Sequence, residues 1–186
     1  MRIISGKFKG KRISLPRDKG TRPLRDLVKE SIFNVIKHSN KILIGIEKSN
    51  ILDLFSGSGS FGLEAISRGA NKCLFVENYS SVLNVLKTNI RNLKCGENCD
   101  TFDLDCFTFL ENLKVKELKV DIIFLDPPYK EEKINLLIEK ILEKKILNKN
   151  GIIIIHRHRK DDIKLTEKLN ILDFRIYGIS KIIFAN

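Results

Sequence analysis

From Asn50 onward the sequence alternates short apolar runs with segments of helical periodicity, and this alternation restricts the possible folds more than any other feature. Residues 51–55, 72–77, 101–104, 121–125 and 151–155 read as strands. Residues 59–68 read as a helix, with Gly69 suited to end it. Val82, Val85, Leu86, Ile90 and Leu93 mark a second helix, and Ile134, Leu137, Ile138, Ile141 and Leu142 a third. A weaker helix is predicted over 161–169, and the tail reads as a hairpin of 174–177 and 181–184. Strands that alternate with helices form a parallel sheet covered on both faces. Ligands of such sheets bind outside the carboxyl ends of the strands. Residues 53–59, Glu77, Asp105 and 126–129 all fall at such ends.

The first of these ends carries L-D-L-F-S-G-S-G-S-F-G, residues 52–62, which contains G-x-G-x-x-G at Gly57, Gly59 and Gly62. That spacing lets backbone approach a nucleotide-like ligand closely. A nicotinamide cofactor would set its anionic pyrophosphate at the following helix N-terminus, where the Asp53 carboxylate repels it. S-adenosylmethionine has no phosphate and carries a sulfonium and an ammonium group, both favoured by a nearby carboxylate. Asp53 therefore tilts the loop toward S-adenosylmethionine. Glu77, twenty residues after Gly57, is placed to accept hydrogen bonds from ribose hydroxyls, although dinucleotide sites use an acid there too. Asp105 is a candidate acceptor for an adenine amino group, with Asp103 as the alternative carboxylate.

The sharper signal is F-L-D-P-P-Y-K, residues 124–130. Two successive prolines after a buried strand stiffen the chain and remove two backbone donors. What remains is a set of acceptors, the Asp126 carboxylate and the Pro127 carbonyl, beside the Tyr129 ring. This set suits a flat heterocycle with an exocyclic amine: the acceptors take its two hydrogens, Pro128 keeps the turn rigid, and Tyr129 stacks on the base. The alternative is a rigid turn whose aspartate caps the next helix. A paired base cannot present its amine to such a turn, so the target is single-stranded or flipped out of its stack.

Charge points to the same class of target. Residues 1–29 hold ten basic side chains against two acids, a local charge of +8 within a total of +11. Clustered Lys and Arg attract polyanions through phosphate contacts. This segment reads as a hairpin of 2–5 and 11–15 around G-K-F-K-G, then a helix over 24–38 whose start, residues 21–30, is a candidate lid over the site. No apolar run is long enough to cross a bilayer. The N-terminus also lacks the pattern of a signal peptide, so a cytoplasmic location is expected. The cysteines, Cys73, Cys95, Cys99 and Cys106, lack the paired spacing of a zinc site; neither His156 nor His158 completes one. Reduced thiols and no metal are expected.

These residues together resemble the class I S-adenosylmethionine-dependent methyltransferases, and more closely the bacterial family that methylates a guanine N2 in 16S ribosomal RNA of the small subunit. The resemblance is carried by R-I-I-S-G-K-F-K-G, T-R-P-L-R-D-L-V-K-E-S-I-F-N, L-D-L-F-S-G-S-G-S-F-G-L-E-A-I-S-R-G-A and D-P-P-Y. It implies an α/β, Rossmann-like, doubly wound seven-stranded sheet, mostly parallel with its last strand antiparallel. A basic N-terminal extension, residues 1–40, would contact RNA and precede a catalytic domain of residues 41–186. The resemblance places Asp53, Ser56, Gly57 and Gly59 at the methionine end of S-adenosyl-L-methionine, Glu77 at the ribose and Asp105 at the adenine. It sets Asp126, Pro127, Pro128 and Tyr129 around the guanine amine. The implied enzyme acts on ribosomal RNA or a small-subunit particle and leaves S-adenosyl-L-homocysteine; a monomer is the default expectation, with the oligomeric state left open. One departure stands out: the strand over 151–155 runs into H-R-H-R-K, where the family pattern leads one to expect an acid. The rival readings are an adenine-N6 methyltransferase, a nicotinamide-dependent oxidoreductase and a non-enzymatic RNA-binding module.

Overall fold

The computed structural model describes residues 1–16, 24–112, 118–128, 131–161 and 164–186. Its centre is a seven-stranded sheet. In chain order the elements are α1 (Asp26–His38), β1 (Asn50–Leu54), α2 (Ser60–Ser67), β2 (Lys72–Val76), α3 (Ser80–Leu93), β3 (Cys99–Phe102), α4 (Cys106–Asn112), β4 (Val120–Leu125), α5 (Ile134–Lys144), β5 (Leu147–His158), β6 (Ile171–Tyr177) and β7 (Ser180–Ala185). The strand order is β3-β2-β1-β4-β5-β7-β6. Pairing is parallel from β3 through β5, and only β7 runs against its neighbours. This is the mostly parallel seven-stranded sheet, its last strand antiparallel, that the family resemblance implies.

Two apolar layers cover the sheet. Because successive strand residues face opposite sides, Ile51, Phe75, Phe124, Ile152 and Ile154 join α1, α2 and α3 on one face. Leu52, Leu54, Ile123, Ile153 and Ile155 join α4 and α5 on the other. On the first face Phe61 stacks between Phe33 and Phe124, with ring centroids 5.1 Å and 4.1 Å apart. That stack ties α1 and α2 to β4, directly beneath the end of the strand that carries Asp126.

The chain reverses at β1 and β4, the two central strands, where consecutive crossovers leave in opposite directions. At such a switch point the loops splay apart and open a crevice. No helix among the described residues is long and apolar enough to cross a membrane.

Local differences from the sequence reading have physical causes. The N-terminal hairpin is reduced to one antiparallel bridge, Arg2 to Arg12, because the intervening loop docks on α2: Lys7 N–H donates to Ser67 O at 2.8 Å. Helix α4 lies in a stretch rich in phenylalanine and threonine that does not read as helical. The segment 161–169 is not helical where it is described. It is pinned to α5 instead, where Asn135 Nδ2 donates to Lys164 O and Asn135 Oδ1 accepts from Thr166 N. Residues 17–23 and the end of D-P-P-Y lie outside the described residues, including Tyr129 and part of the candidate lid.

Candidate functional site

A cleft of about 340 Å³ opens at the carboxyl ends of β1, β2, β4 and β5. Asp53, Ser56, Gly57, Glu77, Asp126, Pro127 and Pro128 all line it. Of the described candidate residues, the lining leaves out only Gly59 and Asp105. Leu15, Pro16 and Leu24 add a wall from the N-terminal segment, so the extension closes one side of the crevice.

The glycine turn is built as its spacing requires. Gly57 and Gly59 have φ of 56° and 82°, in the left-handed region. A Cβ on Gly62 would meet Phe75 Cε1 at 2.3 Å and Cys73 Sγ at 2.5 Å, so this glycine lets α2 pack tightly against β2. Phe55 enters the turn with φ of 61°, uncommon for a bulky residue. Ser56 N–H donates to Val76 O at 3.0 Å and anchors the turn to the neighbouring strand. Asn89 Nδ2 donates to Ser58 O at 3.0 Å and to Ser14 O at 3.1 Å, joining the turn to the N-terminal segment. Sequence reasoning missed Asn89. Its signal was a polar residue on the apolar face of α3, among Val82, Leu86, Ile90 and Leu93.

Three carboxylates face the cleft. Asp53 is 1% exposed, and its Oδ2 accepts from Gly62 N–H at 3.0 Å. Burial pushes its carboxyl well above the ordinary range; the Gly62 hydrogen bond opposes this, and the negative charges of Asp126 and Glu77 push further up. Glu77 bridges two backbone donors, Gly57 N–H at 2.9 Å and Tyr79 N–H at 2.9 Å. Asp126 closes β4, and its Oδ1 lies 2.8 Å from His156 Nδ1. Among the described residues the lining holds no lysine or arginine. In a chain of net charge +11 this makes an acidic crevice in a basic molecule. It repels a pyrophosphate and suits a ligand with two positive centres.

The D-P-P corner is braced from β5. Arg157, 3% exposed, donates from Nη1 to Pro128 O at 3.3 Å and also binds the Asp161 carboxylate. Pro127 is buried and Pro128 exposed. The sequence signal for this brace was visible only as an unexplained basic run.

Asp105 stands apart. Its Oδ1 accepts from Phe107 N–H and Thr108 N–H at 3.0 Å each, and its Oδ2 from the Thr108 hydroxyl. These bonds hold its carboxyl below the usual range. The placement makes Asp105 the cap of α4, outside the lining of the cleft. Asp105→Ala is expected to cost about 1 kcal/mol of stability, typical of a lost helix cap. Ligand affinity should stay unchanged; thermal unfolding and calorimetry check the two halves.

The four cysteines are unbridged, with Cys95 and Cys99 Sγ 3.8 Å apart. Among the described residues no group of three or more His, Cys, Asp or Glu is arranged to hold a metal.

Comparison with other proteins bears on this geometry. The family model described as Conserved hypothetical protein 95 matches residues 1–186. The chain is 36% identical over 166 residues to "Putative rRNA methyltransferase YlbH" of Bacillus subtilis, covering 89% of this chain and 87% of that protein. It is 32% identical over 180 residues to the ribosomal RNA small subunit methyltransferase D of Haemophilus influenzae, covering 96% and 90%. Among solved structures it matches "Putative methyltransferase yhhF from Escherichia coli" with a TM-score of 0.83 and 25% identity, covering 100% and 96%.

Proposed function

Because the chain belongs to the Conserved hypothetical protein 95 family, we propose that it methylates ribosomal RNA with S-adenosylmethionine, and that its target is the exocyclic N2 amine of a guanine in the small-subunit RNA. The carrying observation is the acidic crevice: Asp53, Glu77 and Asp126 converge beside a glycine turn with no cationic side chain in the described lining. That donor set fits S-adenosylmethionine, whose methyl group on a sulfonium supplies the electrophile when bound. Asp53 and the turn of Ser56, Gly57 and Gly59 would hold its methionine end, and Glu77 its ribose.

The chain's own part in the chemistry is to bind, orient and accept a proton. Asp126 and the Pro127 carbonyl take the hydrogens of the target amine and draw its nitrogen lone pair out of conjugation with the ring. Methyl transfer forms one N–C bond and breaks one S–C bond. The nitrogen then releases one proton, for which Asp126 is the base in position. Positive charge builds on the nitrogen as it reacts, so a fixed carboxylate beside it stabilises the transition state more than the ground state. The base must leave its stack to enter. The N-terminal extension, with Lys7, Lys9, Lys11 and Arg12, would grip the surrounding phosphates.

Transfer of tritium from labelled cofactor to small-subunit ribosomal RNA, free or in particles, tests this. Nucleoside analysis of the product is expected to give N2-methylguanosine. Absence of transfer by folded, cofactor-loaded protein would overturn the reading; N6-methyladenosine would redirect it to an adenine.

Asp53 yields a second expected result. Its carboxyl titrates above the ordinary range in the folded protein, so over that window the folded state holds a proton that the unfolded chain has lost. Stability without ligand therefore falls as pH rises through the window. Asp53→Asn keeps an acceptor for Gly62 N–H but removes the charge. The variant should melt higher than the parent at neutral pH, with the difference vanishing in acid. Its cofactor affinity should drop roughly 10- to 100-fold, the scale of a lost charge-assisted contact. Parent affinity should weaken as pH falls and Asp53 takes up its proton. Melting curves and calorimetry across pH read both; a variant that melts no higher and binds equally well would refute the assignment.

A further inference from the structure

His156 lies in the basic run that ends β5, and the structure gives its ring two partners. Nδ1 lies 2.8 Å from Asp126 Oδ1 and Nε2 lies 2.9 Å from Ser180 Oγ. The residue is 4% exposed, and Ser180 is buried as well. An ionised carboxylate only accepts, so the proton of the first contact sits on Nδ1. A neutral imidazole then has a lone pair on Nε2, which accepts from the Ser180 hydroxyl. Strand β5 lies between β4 and β7 in the sheet. The ring thus spans from the end of β4 to the start of β7 and holds the Asp126 carboxylate across the strand between them. Arg157, on the opposite face of β5, holds the Pro128 carbonyl of the same corner. The turn is fixed from both faces of the sheet.

We propose that His156 is a positioning residue for methyl transfer: its Nδ1–H occupies Asp126 Oδ1 and orients the carboxylate so that Oδ2 is presented to the target amine, while Ser180 anchors the far side of the ring and fixes its plane. This rests on the reading of Asp126 as the acceptor of that amine. Unlike an acid, the ring can donate to Asp126 without bringing a second negative charge next to it.

Two amides separate the roles of the two ring nitrogens. His156→Asn carries its amide nitrogen near the δ position and can still donate to Asp126. His156→Gln places its amide near the ε position, within reach of Ser180, and leaves Asp126 Oδ1 without its donor. With ribosomal RNA as substrate, His156→Gln is expected to lower kcat on the order of 100-fold, the scale of a small misplacement of a reacting group. Its KM for S-adenosylmethionine and its melting temperature should stay near the parent's, and His156→Asn should retain most of the parent's kcat. Transfer by the parent with equal rates in the two amide variants overturns the inference alone. No transfer by the parent overturns the proposed reaction and this inference with it. If His156→Gln fails to fold, Ser180→Ala, which removes the ring's second anchor and lets it swing from Asp126, carries the same test: kcat must fall with KM unchanged, and an unchanged kcat refutes the positioning role.

Discussion

Asp126→Ala is expected to lower the rate of methyl transfer about 100- to 1000-fold, the loss seen when one fixed charge-stabilising group is removed from a reacting centre. Cofactor affinity should remain close to the parent's, because two effects oppose each other. The variant removes one negative charge from a crevice that favours cations. It also removes a neighbour that pushes the Asp53 carboxyl upward, so Asp53 is more readily ionised when ligand arrives. The substitution leaves Nδ1 of His156 without its carboxylate. An unpartnered buried polar group costs about 1–3 kcal/mol, so the rate must be compared at a temperature where melting curves show the variant folded. Single-turnover transfer to ribosomal RNA, beside calorimetry with S-adenosylhomocysteine, separates chemistry from binding. If turnover and cofactor binding vanished together in a folded variant, Asp126 would belong to the cofactor's site and not to the amine's. Binding of RNA that survives in a parent protein incapable of transfer would favour the non-enzymatic reading.

What the sequence made legible follows from the length scale of each signal. Strand and helix alternation is a local pattern, and Ile51, Ile123, Ile153 and their neighbours announce a doubly covered sheet without further information. The glycine turn and D-P-P corner are also local: each packs its geometry into a few consecutive residues whose backbone limits are known. The residues that hold those turns in place are not local. Asn89 reaches Ser58 and Ser14 across 31 and 75 positions, and His156 reaches Asp126 across 30. In the sequence Asn89 is only a polar residue at a register that should be apolar, and His156 only the first residue of a basic run. Asp105 shows the opposite case. A strand-end carboxylate meets both the rule for ligand contact and the rule for capping the next helix, and only the coordinates show which partner it takes.

The largest expected effect on stability comes from a buried charge cluster that the apolar pattern concealed. Glu64, on α2, is fully buried and accepts from Ile4 N–H at 2.7 Å, Ser5 N–H at 3.0 Å and Arg68 Nε at 2.7 Å. Lys29, on α1, is equally buried; its Nζ lies 3.5 Å from Glu64 Oε2 and donates to Arg2 O at 2.9 Å. Burial lowers the Lys29 ammonium below its ordinary range, while Glu64 and Asp26 oppose the shift. Glu64→Ala would leave that buried ammonium only Asp26, 3.8 Å away, as a counter-charge and orphan two backbone donors of the N-terminal loop. Breaking a buried pair in this way costs about 3–5 kcal/mol. That is a large part of the roughly 5–15 kcal/mol that holds a domain folded, and at about 2–4 °C per kcal/mol for this size it is a loss readable in any melting curve. Removing both charges, as Lys29→Met with Glu64→Leu, should recover part of that loss, since no buried ammonium is then left, although Arg68 and Asp26 each lose an ion-pair partner. It cannot recover all of it, because Ile4 and Ser5 still lose their acceptor. The loop that Glu64 holds leads through Ile13 and Ser14 to Leu15 and Pro16, which wall the cleft. Hydrogen exchange at Ile4, Ser5 and Phe8 should therefore accelerate in the single variant, and cofactor affinity should weaken with it. A single variant as stable as the parent, or a double variant worse than the single, would show that the cluster is not what fastens the extension to the sheet.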